Sequence, residues 1–297
     1  MRLRLLACRR GRSILDTVTE ASQSLAWLRL RQTYNEVCTR KGFISAVLAA
    51  IRRVPSKFAL QLQKAQQLWL QELLLLDRTL THRYKSNLPT ARQAKGHVPW
   101  ADIVKLRDKL PKGSKARLLL CMYSLGIAPM RADYNRITLL SCCGETDLLD
   151  ADVERVAEEN FLVLPGKRCR GRPAMLYLRE YKTSAQRGTY KRALHPKLTA
   201  EIQNSLVEDP RQWLFQDKCS KPYTAKQFSK WACKTLKMLF GKPLTLTGLR
   251  HSFLSSLEWS ALSRLDREEI ANSMAHSVDQ QELYRFVALP SRLPGRP

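Results

Sequence analysis

Apolar residues recur at helical spacing through most of the first 85 positions. Over 57–85, Phe58, Leu68, Trp69, Leu73, Leu76 and Leu80 stand among Gln, Lys and Arg, which predicts a helix with a wide apolar face. Segments 14–31 and 43–53 carry the same period. The rhythm then stops: SNLPTARQAKGHV, at 86–98, holds Pro and Gly without aliphatic periodicity and predicts a linker. The chain thus divides into a helical part over 1–86, a linker over 87–98 and a second domain over 99–297.

The second domain opens on PWADIVKLRDKL, where Pro99 suits a first helical turn and Trp100, Ile103, Val104 and Leu110 keep helical spacing. Residues 114–125 are nearly all apolar and predict a buried helix. Short β signals follow at 135–140 (NRITLL) and 160–164 (NFLVL), then a hairpin of 175–182 (MLYLREYK) and 189–194 (TYKRAL). Helices then return. The best defined is 225–240, opened by the T-x-x-Q capping pattern of Thr224 and Gln227 and closed by Gly241. The expected class is mostly α with a small antiparallel β-sheet, an α+β fold.

Charge narrows the function. Lys and Arg number 51 against 26 Asp and Glu, a formal net charge of +25. Residues 1–96 hold 18 basic and 5 acidic residues, or +13, which leaves +12 for the remainder. Self-repulsion on this scale calls for a polyanion, and nucleic acid is the obvious partner; a merely basic, ribosomal-type protein is the alternative that charge alone leaves open. Lys226, Lys230, Lys234 and Lys237 follow one another along one side of helix 225–240 and, with Lys191 and Arg192 of the predicted hairpin, are candidate DNA contacts.

Eight cysteines without a C-x-x-C pair point to reduced thiols rather than a zinc ribbon or a disulfide framework. The Leu-rich run at 68–76 falls short of the ~18 apolar residues of a membrane span. MRLRLLACRRGRS, Arg-rich and free of acids, reads as a basic N-terminal arm on DNA or as an organelle transit peptide. The acids Glu145, Asp147, Asp150, Asp152, Glu154, Glu158 and Glu159 read as a solvated surface rather than a two-metal site.

The segment 243–286 is the most informative. From Arg250, the residues Phe253, Leu254, Leu257 and Ala261 lie at +3, +4, +7 and +11, so the arginine shares the core-directed face. A buried guanidinium requires an anion, either an internal carboxylate or a bound phosphate. Further on, Ser277 and Gln280 form a second S-x-x-Q cap, which starts a short helix predicted to carry Tyr284, with His276 just before it.

LRHSF at 249–253, MAHS at 274–277 and LYRF at 283–286 occur in the order and spacing that resemble the tyrosine recombinase (phage integrase-like) family. The resemblance covers about 97–287. It implies a first arginine after a buried helix, met by Arg131 in SLGIAPMRADY, and a lysine ending a hairpin strand, met by Lys182 in REYKTSAQRG. The APMRADY wording is most similar to recombinases of eukaryotic viruses and mobile elements.

By that resemblance Arg131 and Arg250 hold the scissile phosphate, His276 donates to it, Tyr284 attacks it, and Lys182 protonates the leaving 5′ hydroxyl. The product is a covalent 3′-phosphotyrosyl link, so neither cofactor nor metal is implied. The implied partner is double-stranded DNA, bound by a homo-tetramer and also gripped by the helical N-terminal domain, in the nucleus or a viral nucleoid. The family histidine three residues before the second arginine is here Thr247, which also reads as a helix N-cap; Thr247 and the adjacent His251 are further candidates, although His251 is expected to point elsewhere. A type IB topoisomerase-like strand relaxation and an inactive DNA-binding or architectural protein of the same fold are the alternatives.

Overall fold

The computed structural model describes residues 2–30, 36–55, 59–131, 133–142, 159–166 and 172–287. The chain divides into two compact units, Met1–Ser86 and Asn87–Pro297.

In the first unit the described helices are Arg2–Arg10, Ile14–Thr19, Ala21–Leu30, Val37–Ile51 and Ala59–Lys85. The predicted helical segment at 14–31 is two helices: the first, opened by the reciprocal Ser13/Asp16 capping box, ends at Thr19 because Glu20 leaves the helical conformation at ψ 55°, and the second begins at Ala21. Their apolar faces close around Trp69, which is fully buried and donates its indole N–H to the Val18 carbonyl at 3.0 Å. The expected basic arm is instead helical: Leu6 is fully buried in this core, and Arg10 pairs with Glu20 at 3.5 Å. Burying Leu6 and Ala7 gives the segment an apolar side that its Arg-rich wording hides. Phe58, part of the predicted 57–85 pattern, lies outside the described residues.

The second unit begins earlier than the predicted domain start. Residues 87–98 are packed structure rather than a bare linker: the helix Ala91–Gly96 carries a reciprocal Thr90/Gln93 capping box, and Val98 joins the core. Gly96 is required there, since a Cβ would sit 2.7 Å from the Pro243 carbonyl oxygen. The helix Lys115–Ser124 forms the centre of the unit, with Leu118 to Tyr123 all buried.

Against it lies a four-stranded sheet in the order β1-β2-β3-β4: β1 Ile137–Cys142, β2 Asn160–Pro165, β3 Met175–Leu178 and β4 Tyr190–Ala193. The sheet is mixed, not antiparallel as expected. β1 and β2 run parallel, in register Ile137 with Asn160, while the other pairs are antiparallel. The long connection over 143–159 permits the crossover that a parallel pair needs. Most of the acidic run, Glu145 to Glu158, falls outside the described residues; Glu159 pairs with Arg136 at 3.1 Å. Among the described cysteines, Cys8, Cys38, Cys121, Cys219 and Cys233 are free thiols. No described helix is long and apolar enough to cross a membrane.

A second, smaller core of Ala128, Leu254, Trp259 and Met274 has Phe253, Leu257, Ile270 and Tyr284 packed against it. It brings the loop after the central helix, the Arg250 helix and the C-terminal turn together, and this junction positions the candidate site.

Candidate active site

Arg250 lies on the helix Leu246–Ser256, whose buried face also carries Leu246, Leu249 and Leu254. The expected periodicity therefore delivers a guanidinium to the interior, fully buried. Its Nη1 donates to the carbonyls of Pro129 at 3.1 Å and Met274 at 3.4 Å, its Nη2 lies 2.8 Å from His276 Nδ1, and its buried Nε has no partner. The other buried arginines of this unit have carboxylates: Arg107 meets Asp108 at 2.8 Å and Arg117 meets Glu201 at 2.8 Å. Among the described residues Arg250 has no salt bridge. Burial lowers its pKa below the usual arginine value. The site is therefore a cationic interior position whose guanidinium no described carboxylate pairs with directly, although the Asp133 charge acts on it from nearby.

His276 is placed by the end of the preceding helix, Arg264–Ser273. Ala275 adopts a left-handed φ of 52°, its N–H donates to Asn272 O, and the His276 N–H reaches back to Ala271 O at 3.1 Å. This closure normally employs glycine, so Ala275 accepts local strain to turn His276 inward. Arginine has no acceptor, so the imidazole Nδ1 facing Arg250 is the bare nitrogen and the proton sits on Nε2. That Nε2 is buried and lacks a partner. Burial, followed by the charges of Arg250, Arg131 and Arg187, pushes the imidazole pKa down to about 3, so the ring is a neutral donor.

Tyr284 follows the five-residue helix Val278–Glu282, which Ser277 caps by accepting from the Gln280 N–H at 3.3 Å. The tyrosine lies in the turn just beyond this helix rather than on it, since the helix ends at Glu282 with Leu283 as its C-cap. Its ring lies under the Arg250 guanidinium, with Cζ 4.7 Å from the ring centroid, and 5.8 Å from the His276 ring. Arg131 Nη2 donates to the Tyr284 hydroxyl at 3.4 Å. Burial pushes the phenol pKa up, but the Arg131 hydrogen bond and the Arg250, Arg131 and Lys182 charges outweigh it, and the net shift is downward.

Arg131 is held by its backbone: the buried Tyr123 hydroxyl donates to its carbonyl at 2.6 Å. The preceding turn needs Gly126, at φ 69°, because a Cβ would come 2.5 Å from His195 Cβ. Lys182 departs from its expected place. β3 stops at Leu178, and the exposed Lys182 stands in the turn beyond it, before the helix Ser184–Arg187. That turn is tied to the site through Thr183, whose hydroxyl donates to the Ala275 carbonyl at 3.1 Å.

Arg131, Arg250, His276 and Tyr284 thus meet at one place, with Lys182 acting on it through charge. Thr247 does not join them. It is exposed, and the N-cap is Thr245, which accepts from the Gly248 N–H at 3.0 Å; Leu246 and Leu249 both face inward, and the helix starts before Thr247 rather than at it. His251 does approach Tyr284, contrary to expectation, but at the main-chain carbonyl rather than the hydroxyl.

Asp133 was missed by sequence reasoning. Burial raises its carboxyl pKa, while the backbone amide of Lys182 and the charges of Arg131 and Arg250 act oppositely. Its position two residues after Arg131 was the available signal.

The candidate DNA contacts lie apart from this cluster of four. Lys226, Lys230, Lys234 and Lys237 are all exposed on the helix Ala225–Phe240, whose other side buries Phe228, Ala232 and Leu236. Thr224 and Gln227 form the predicted capping box, and Gly241 closes the helix at φ 66°. Lys191 stands 5.3 Å from the Tyr177 ring centroid. Arg192 donates to the Tyr190 hydroxyl at 3.4 Å, and both residues line an open cleft of about 440 Å³ with Arg187 and Asn272.

Two buried neutral histidines predict acid sensitivity. His251 is pushed down to about 4 by burial first, and His276 to about 3, against about 6.5 in an unfolded chain. Folded values lie below unfolded ones, so the unfolded chain binds more protons in this window; stability is complete above pH 6.5 and declines toward pH 4. Thermal melts from pH 7 to 4.5 should show His251→Asn losing less stability than the wild type as pH falls. Parallel profiles would contradict this.

No protein-family model matches the sequence, and no curated protein matches it as a relative. Among solved structures, the chain is similar to the one titled "Crystal structure of XerA recombinase", at 12% identity and a TM-score of 0.43, over 97% of this chain and 92% of that one.

Proposed function

We propose that this chain cleaves and rejoins double-stranded DNA as a tyrosine recombinase, with Tyr284 as the nucleophile. The observation that carries this reading is Arg250: a fully buried guanidinium in no ion pair with a described carboxylate, over the ring of a tyrosine whose hydroxyl a second arginine touches. A phosphodiester is the anion that fits. Its nonbridging oxygens accept from Arg131 and Arg250, whose planar forks suit phosphate and remain charged. His276 Nε2 supplies a neutral, buried donor with no partner in the protein.

In the step itself, the Tyr284 oxygen forms a bond to phosphorus as the phenolic proton passes to solvent water, and the bond from phosphorus to the 5′ oxygen breaks. An unperturbed phenol is only about 0.1% ionised near neutrality, so the downward pKa shift at Tyr284 favours attack. The leaving 5′ oxygen takes a proton from Lys182. Attack by that hydroxyl on the phosphotyrosyl link reverses the sequence and reseals the strand without an energy source. The exposed lysine row of Ala225–Phe240 tracks the DNA backbone, and two bound sites are joined by a homo-tetramer.

The test is direct. The full chain is incubated with a library of nicked duplexes and then denatured. A protein–DNA adduct that survives denaturation is expected; tight DNA binding with no adduct from any duplex would overturn the proposal.

A further inference from the structure

His251 forms a chain of contacts outside the phosphate site. Its Nδ1 lies 2.7 Å from the Tyr284 carbonyl oxygen, its Nε2 lies 3.3 Å from Gln93 Nε2, and its ring stacks on Phe286 at 4.3 Å with an interplanar angle of 4°. The proton positions follow from the partners. A carbonyl only accepts, so Nδ1 carries the hydrogen and donates it. Gln93 is oriented by its capping box: its Oε1 accepts from the Thr90 N–H at 2.8 Å, which turns its NH₂ toward His251. The bare Nε2 of His251 accepts from it. Both ends of the imidazole therefore select the same neutral tautomer.

The same stretch grips the tyrosine turn twice more. The Asn87 carbonyl accepts from the Val287 N–H at 3.2 Å, and His97 packs edge-on against Phe286 at 6.2 Å. From its own short helix the tyrosine is held by its main chain alone, its N–H donating to the Gln281 carbonyl at 3.1 Å, while the buried Gln281 side-chain amide has no partner.

We infer that His251 is a positioning residue: with Gln93 it fixes the main chain of Tyr284 so that the phenol oxygen stays at the two arginines. This rests on the proposed covalent chemistry, but the clamp itself has an independent readout. It also removes His251 as the acceptor of the phenolic proton, because its Nδ1–H already donates to a carbonyl and its Nε2 is occupied.

The test compares His251→Ala, His251→Asn and Gln93→Ala in the full chain, using a nicked duplex that the wild type captures. Asn places an N–H donor near the Nδ1 position; Ala does not. Misplacing a reacting atom by about 1 Å costs on the order of 10²-fold. His251→Ala should therefore slow adduct formation at saturating DNA by about that factor with DNA affinity unchanged, and His251→Asn should recover most of the rate. Gln93→Ala, which leaves the carbonyl bond without its second support, should lose about tenfold. Equal rates in His251→Ala and wild type, or no recovery in His251→Asn, would overturn the inference.

Hydrogen exchange at the Phe286 and Val287 amides reads the clamp without any chemistry. Exchange should quicken in His251→Ala and return toward wild type in His251→Asn; unchanged exchange overturns the clamp. Absence of an adduct from the wild type defeats only the proposed function, and the exchange result then decides the clamp alone.

Discussion

Tyr284→Phe should abolish the covalent adduct while leaving DNA affinity within a few-fold of the wild type. The change removes one oxygen and nothing else from a ring held by packing. Phe at this position keeps the contact with the small core and the ring beneath the Arg250 guanidinium, so the site retains its shape. Only the 3.4 Å hydrogen bond from Arg131 is lost, a long contact worth about 1 kcal/mol or less. Binding depends on many phosphate contacts spread along a basic surface, and one phenol contributes little to their sum. Without the oxygen no bond to phosphorus can form. Gel mobility under denaturing and native conditions separates the two quantities, and an adduct that persists in Tyr284→Phe would remove the residue from its role.

Arg250→Met should lower the rate of adduct formation by about 10²- to 10³-fold, the usual loss when one donor to developing oxyanion charge is removed. Its effect on stability should be small, which separates a functional arginine from a structural one. Burying an uncompensated charge costs several kcal/mol. Losing Arg250 also deprives the Pro129 and Met274 carbonyls and His276 Nδ1 of a donor, at about 1–3 kcal/mol each. These opposing amounts nearly offset. Arg117→Met provides the contrast: it strands the Glu201 carboxylate and three carbonyls, those of Arg107, Asp108 and Leu110, and should destabilise by about 3–5 kcal/mol. Thermal melts of the two variants give this comparison. A collapse of stability in Arg250→Met equal to that in Arg117→Met would make Arg250 a structural residue.

The sequence was most legible where local chemistry and burial agree. Helix 225–240 could be placed from its cap, its apolar stripe and its terminal glycine, because all three act within one turn of the residues concerned. The burial of Arg250 was equally plain from its neighbours at +3, +4 and +7. Long-range pairing was not legible. The parallel register of β1 with β2 is set by partners more than twenty residues apart, and no alternation along either strand records its direction.

Two misreadings came from competing local signals. Thr245 and Thr247 both suit an N-cap, and only the inward need of Leu246 and Leu249 selects the first. The segment 87–98 looked like a linker because it holds Pro89 and Gly96 and no aliphatic rhythm, yet it carries the same T-x-x-Q pattern, at Thr90 and Gln93, that identified the helix at 224. Recognising that box would have predicted the helix Ala91–Gly96, although not the contact of Gln93 with His251, which depends on tertiary placement. The Arg-rich start was read from its charge, while its fate was decided by Leu6.

The most direct test of the account is to recover the denatured adduct, digest both protein and DNA, and locate the nucleotide remnant by peptide mass. The expected result is a 3′-phosphonucleotide on the phenol oxygen of Tyr284 and on no other residue. A remnant on a different side chain, or bound DNA that never becomes linked to protein, would mean that the buried arginine and the tyrosine beneath it serve some other end.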